Sequence, residues 1–141
     1  MIVLDTNVIS ELMRPEPDAR VVDWLDRQDA ISMTISSITV AEILYGIERL
    51  PNGRRKRDFA AMAAAMFEED FFGRILPFDS GAAIHYAEQV AASESAGRQV
   101  HMADAQIAAI CIQHDAMLAT RNIKDFETLS LETINPWEIG R

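Results

Sequence analysis

The chain is 141 residues long, 49% hydrophobic and formally charged at −9, with a sequence pI near 4.7. That size and apolar content suit one compact domain over residues 1–141 and exclude global disorder. The acidic balance excludes a protein that grips nucleic acid through a broad basic surface, so a polyanionic substrate would need a local neutralising group such as a divalent cation.

Ile2-Val3-Leu4 is an apolar run that predicts a buried strand ending at Asp5. Asp5 also breaks the apolar start too early for a secretory leader. A short helix is expected over residues 6–13, stopped by Arg14-Pro15-Glu16-Pro17. Asp18 then caps a helix carrying Val21, Val22 and Leu25 at helical spacing. A second strand is expected over 31–35, followed by a helix that opens at Ser37 and breaks at Pro51-Asn52-Gly53. A long Ala- and Met-rich helix should span 54–72, ended by Gly73, with a third strand over 74–78.

Asp79 or Ser80 caps a helix running to about Gly97, and a further helix occupies 101–114. It contains Cys111, the single cysteine, which excludes an internal disulfide and fits a reducing cytoplasm. Met117-Leu118-Ala119-Thr120 is a fourth strand, and a short fifth falls near Thr133-Ile134. No run approaches the ~18 apolar residues of a membrane span, so no membrane association is expected. Strand–helix alternation of this kind implies an α/β fold with a largely parallel sheet covered on both faces, a three-layer α/β/α sandwich.

The acids fall where such a sheet binds ligands, beyond the carboxyl ends of its strands. Asp5 ends the first strand and Thr120-Arg121-Asn122 follows the fourth, so the two share a crevice if those strands are neighbours. Asp5 can equally cap the helix after it. Asp104 heads a stripe whose i+3, i+4 and i+7 members are Ile107, Ala108 and Cys111, which turns its carboxylate toward the interior. There it needs a cation, either a metal or an arginine such as Arg98 or Arg121, unless it stands just beyond the buried zone. Glu42 is the only acid in the small and apolar stretch Ser36-Ser37-Ile38-Thr39-Val40-Ala41-Glu42-Ile43, a position open to a solvated role or a site role. Carboxylates grouped without cysteine or paired histidine favour a hard cation, Mg2+ or Mn2+.

Among the other candidates, His101 either faces the crevice or simply starts a helix in solvent. Arg54-Arg55-Lys56-Arg57 is the one basic run, open to a solvated role or to contact with an RNA backbone. Phe59, Met62, Met66 and Phe67 form an apolar face suited to core packing or to a partner groove. No Gly-rich phosphate loop or nucleophile elbow is present, and Asn7 stands where a haloacid-dehalogenase-type phosphatase needs a second Asp.

Ile2-Val3-Leu4-Asp5-Thr6-Asn7-Val8-Ile9 resembles the opening strand of PIN domains. Ser37-Ile38-Thr39-Val40-Ala41-Glu42 with Tyr45-Gly46 resembles their second acidic motif, and Ala103-Asp104-Ala105-Gln106-Ile107-Ala108-Ala109 their third. Ala119-Thr120-Arg121-Asn122 with Asp125-Phe126 is similar to the fourth, and Asn135-Pro136-Trp137 resembles the end of VapC- and FitB-type toxins. The resemblance implies a parallel five-stranded sheet in the order 3-2-1-4-5 and a Mg2+- or Mn2+-dependent ribonuclease, the toxin of a VapBC-type toxin–antitoxin pair. Asp5, Glu42 and Asp104 become the metal-site acids. Asn122 occupies a position that is Asp in some members, so either Asn122 or Asp125 completes the site, with Thr6 and Thr120 contributing hydroxyls. The implied partners are an RNA substrate, a VapB-like antitoxin, a second copy of the chain, and operator DNA only through the antitoxin. A catalytically silent regulatory subunit and a metal-dependent phosphatase are the alternatives.

Overall fold

The computed structural model describes residues 1–139. Its centre is β1 (Ile2–Leu4), a strand buried along its whole length. It pairs in parallel with β2 (Met33–Ser36) on one side and β4 (Met117–Ala119) on the other. β3 (Ile75–Leu76) and β5 (Thr133–Ile134) form the edges, giving one parallel sheet in the order β3-β2-β1-β4-β5. The expected order therefore stands.

Strand alternation sorts the core into two layers. Ile2 and Leu4 face one side, where they pack with Val8 and Ile9 of α1 (Thr6–Leu12), Val21 and Trp24 of α2 (Ala19–Asp26), and Ile43 and Ile47 of α3 (Ser37–Glu48). α4 (Arg54–Ala65) closes the same layer through Ala63. Val3 faces the opposite side with Leu118, against Ile107, Ala108 and Cys111 of α6 (Met102–Gln113). α5 (Ser80–Ser95) packs on α6 around Ala82, Ala109 and Ile110. Helices thus cover both faces. Among the described residues, no helix is long and apolar enough to cross a membrane.

Helix starts follow local chemistry. Asp5, Asp18, Ser36 and Asp79 each accept a backbone N–H from the first turn of α1, α2, α3 and α5. Three boundaries differ from expectation. Ile31 is 77% exposed and lies in a 3-10 turn, Ala30–Ser32, that Asp29 caps, so β2 starts only at Met33. The long helix stops at Ala65 and widens into a π-helical turn, Met66–Asp70, where Phe71 N donates to Met66 O at 2.9 Å. β3 shrinks to Ile75–Leu76 because Pro77 has no N–H for the ladder.

Candidate active site

Asp5 follows β1 directly and is 5% exposed. Both of its oxygens are engaged. Oδ1 accepts Thr6 N at 2.8 Å and so caps α1. Oδ2 accepts the Thr120 hydroxyl at 2.8 Å and Asn7 Nδ2 at 3.1 Å. Asp5 thus caps α1 and at the same time lines the cleft beyond the strand ends. Burial pushes the Asp5 carboxyl above its ordinary range; the hydrogen bonds from Thr120 and Thr6 oppose this, while Glu42's charge adds to it.

Asp104 lies in the first turn of α6, above buried Ile107, Ala108 and Cys111. Burial, then the charges of Asp5 and Asp125, push its carboxyl up to about 6. Neither arginine considered from the sequence closes on it. Arg98 pairs instead with Glu127 at 2.6 Å, and the Arg121 guanidinium stands 5.0 Å from the Trp137 ring centroid. His101 is exposed at the start of α6 and contributes a weaker charge effect that holds the Asp104 carboxyl down.

Glu42 arrives on α3 and is exposed. The Thr6 hydroxyl donates to its Oε1 at 2.7 Å and stands 3.0 Å from the Thr39 hydroxyl, which is fully buried. Because Thr6 gives its proton to Glu42, Thr39 donates to Thr6. That relay fixes the direction of an otherwise mobile side chain.

Asp5, Glu42, Asp104 and Asn122 line one cleft of ≈ 500 Å³, together with Thr6, Asn7, Ser10, Glu11, Arg14, Arg121 and Trp137. Asp125 lines the adjoining hollow with Asn122 and acts on Asp104 through charge. It sits in a 3-10 turn, Ile123–Phe126, whose leading residue Asn122 makes no side-chain cap. Thr120 does touch the site, as its hydroxyl also accepts Asn122 N at 3.1 Å.

Among the described residues, no three His, Cys, Asp or Glu side chains are grouped so as to hold a metal ion between them. The acids offer only oxygen donors, in an open cleft that they share with Arg14 and Arg121. That donor chemistry fits Mg2+ or Mn2+, which take one or two carboxylates and keep waters, and does not fit structural zinc.

Sequence reasoning overlooked two organisers. Asn7 bridges the first and fourth motifs, accepting Arg121 N at 3.1 Å while donating to Asp5. Glu11 is 5% exposed and accepts Arg14 Nη1 at 3.3 Å and Asp18 N at 2.9 Å, clamping the proline-rich turn onto α1. A charged residue inside the apolar run of α1 was the available signal. Of the basic run, Arg55 lines a hollow that shares Thr6, Ser10 and Glu42 with the cleft. Arg54 stands 4.0 Å from Asp58 and Lys56 4.0 Å from Glu48, while Arg55 stacks on Phe59. Of the apolar face, Phe67 is core and Phe59 and Met66 pack against it. Met62 is 41% exposed and lines a groove of ≈ 780 Å³ with Met13, Pro15, Phe59, Arg54, Arg55 and Asp58.

Residues 2–130 match the family model described as PIN domain. The chain is 43% identical over 138 residues to a VapC ribonuclease of Sinorhizobium fredii, covering 98% of this chain and 99% of that one. It is 41% identical over 137 residues to Toxin FitB of Neisseria gonorrhoeae, covering 97% and 99%. Its fold superposes on a FitAB complex bound to a DNA fragment with a TM-score of 0.89 at 40% identity, covering 100% and 99%. Acids gathered beyond the carboxyl ends of β1 and β4, a 3-2-1-4-5 parallel sheet and these likenesses agree: the chain belongs to the PIN-domain family.

Proposed function

We propose that this chain is the ribonuclease toxin of a VapBC-type toxin–antitoxin pair, hydrolysing RNA phosphodiester bonds with Mg2+ or Mn2+ in the Asp5–Asp104 cleft. The observation that carries this reading is two partly or wholly buried carboxyls, Asp5 and Asp104, raised in one cleft with no arginine or lysine closing on either. Leaving such a pair without a cation is costly unless a ligand supplies the charge. The ribonuclease and toxin names of its relatives support the same chemistry.

Asp5, Asp104 and Glu42 would hold the cation, with Asn122 or Asp125 completing its surroundings. When bound, the cation acidifies an attacking water and offsets charge building on the phosphoryl oxygens. The chain's own part is orientation. Thr120, Asn7 and the α1 N-terminus fix Asp5, and Thr6 aims Glu42 into the cleft. No histidine lines that cleft, so proton removal from the nucleophile falls to carboxylates and water.

The Met13–Phe59–Met62 groove, flanked by Arg54, Arg55 and Asp58, suits an antitoxin segment with apolar and charged side chains. A relative's complex with its partner on DNA supports operator contact through that antitoxin. Exposed Ile84 on α5 and Met102 on α6 provide apolar surface for a second copy in a homodimer. The proposed compartment is the cytoplasm, where Cys111 stays a reduced thiol; burial pushes that thiol up to about 12.

The test is cleavage of RNA by purified, antitoxin-free protein across a Mg2+ and Mn2+ titration, with Asp104→Asn in parallel. Metal-dependent cleavage lost in the variant is the expected result. No cleavage by the parent at any metal concentration overturns the reading in favour of a silent subunit. Turnover of small phosphomonoesters without RNA cleavage overturns it in favour of a phosphatase.

A further inference from the structure

Two cations line the acidic cleft, Arg14 and Arg121, and they are held differently. Arg14 Nη1 lies 3.3 Å from each oxygen of Glu11, and Glu11 is buried. Arg14 is therefore committed to neutralising an internal acid. Arg121 pairs with no carboxylate among the described residues, although the surrounding cleft is rich in them. Its guanidinium instead lies 5.0 Å from the ring centroid of Trp137, a ring only 3% exposed.

Hydrogen bonds tie that mount to the chain on both sides. Trp137 N donates to Asn135 Oδ1 at 2.9 Å, and Asn135 Nδ2 donates to Arg121 O at 3.4 Å. Arg121 N donates to Asn7 Oδ1 at 3.1 Å, and Asn7 Nδ2 in turn donates to Asp5 Oδ2 at 3.1 Å. One side chain thus couples the placement of this cation to the placement of the β1 acid. The ring holds the guanidinium by its charge, and among the described residues no hydrogen bond or ion pair takes the Arg121 side-chain N–H donors. An arginine so disposed receives phosphate through two parallel hydrogen bonds.

The charge balance says what that group is. RNA approaching a cleft lined by four carboxylates, on a chain whose net charge is −9, meets repulsion, and a cation beside the acids offsets it for a backbone phosphate. We infer that Arg121, mounted on Trp137, is the substrate-phosphate clamp of this cleft and holds a backbone phosphate of the RNA strand while the acids act on its neighbour. This inference rests on the ribonuclease reading above.

The experiment measures binding of a labelled single-stranded RNA by fluorescence anisotropy at several salt concentrations, in an Asp104→Asn background that prevents cleavage. Arg121→Met keeps an unbranched stem over Trp137 and removes the charge. It should raise Kd roughly tenfold at low salt and flatten the slope of log affinity against log salt by about 0.7, the value for one single-strand phosphate. Arg121→Lys should recover the slope but not the full affinity, since lysine has the charge without the planar fork. Unchanged affinity and slope in Arg121→Met overturn the clamp and leave a packing role on Trp137. The same result combined with weaker capture of the antitoxin assigns the residue to the protein partner and also overturns it. If the parent, free of the Asp104 change, neither binds nor cleaves RNA, the ribonuclease reading fails and the clamp fails with it.

Discussion

The Thr120 hydroxyl donates to Asp5 Oδ2 at 2.8 Å, joining residues 115 positions apart. It does so because β1 and β4 are neighbours, with Leu4 opposite Ala119, so the first residue past each strand meets the other at the same edge. The hydroxyl also accepts Asn122 N and Asn7 Nδ2. One threonine therefore sets the acid of the first motif against the backbone of the fourth, before any ligand arrives.

Thr120→Val removes that donor while keeping the shape, and Thr120 is fully buried. Asp5 Oδ2 is then left with Asn7 alone. The expected loss of stability is on the order of 1–3 kcal/mol, with RNA cleavage falling as well because the carboxylate loses its fixed direction. Chemical denaturation and cleavage rates check this together. A variant as stable and active as the parent would sink the organising role of Thr120.

The Asp104 carboxyl, raised to about 6 from 3.8, has a definite sign in linkage. The folded state holds this proton more tightly than the unfolded state, so without metal its contribution favours folding at low pH. That contribution fades as pH rises from about 4 through 6. Asp104→Asn, which cannot ionise, should therefore match the parent near pH 4 and exceed it at pH 7 by on the order of 1 kcal/mol, less than the full shift because the half-exposed carboxylate is screened by solvent. Metal-free melting curves across pH decide it. An Asn variant with no relative gain as pH rises would count against a repelled carboxylate here.

Metal should reverse that penalty. Millimolar Mg2+ or Mn2+ is expected to raise the melting temperature of the parent by a few degrees, the effect of a ligand well above its Kd. Asp5→Asn should show a smaller rise, because it removes a proposed ligand and also places an amide donor against the Thr120 and Asn7 donors. A parent midpoint unmoved across the titration would argue against a cation site in the cleft.

Asn122 and Asp125 compete for the role of completing the site. Asn122 lines the cleft directly, whereas Asp125 acts on Asp104 from the adjoining hollow. If Asp125 supplies missing charge directly or through water, Asp125→Asn raises the metal concentration for half-maximal cleavage more than Asn122→Ala does. The loss should reach on the order of tenfold. Asn122→Asp should then keep activity and lower the metal requirement. The reverse order, with Asn122→Ala nearly dead and Asp125→Asn close to normal, assigns the ligand to the Asn122 carbonyl.

Much of the site was legible because its acids break local patterns. Asp5 ends an apolar strand and Asp104 heads an apolar helical stripe, and an acid in such a place needs a reason that burial alone does not supply. Asn7 and Trp137 fall inside stretches that resemble the family, yet neither breaks a local hydropathy pattern, and what each holds in place follows only from what it touches.

The alternation of strands and helices, the cap at Asp18, the candidate caps Asp5 and Asp79 or Ser80, and the buried strand Ile2-Val3-Leu4 were all legible in the sequence. These depend on side-chain period and on hydrogen bonds to the next turn, both set by neighbours a few residues away. Folding was needed to place Arg121 over Trp137 instead of against Asp104, to join two motifs through Asn7, and to leave Ile31 outside the sheet. Those outcomes depend on strand register and on which of several nearby partners a polar group reaches first, and neither is encoded within a local stretch of chain.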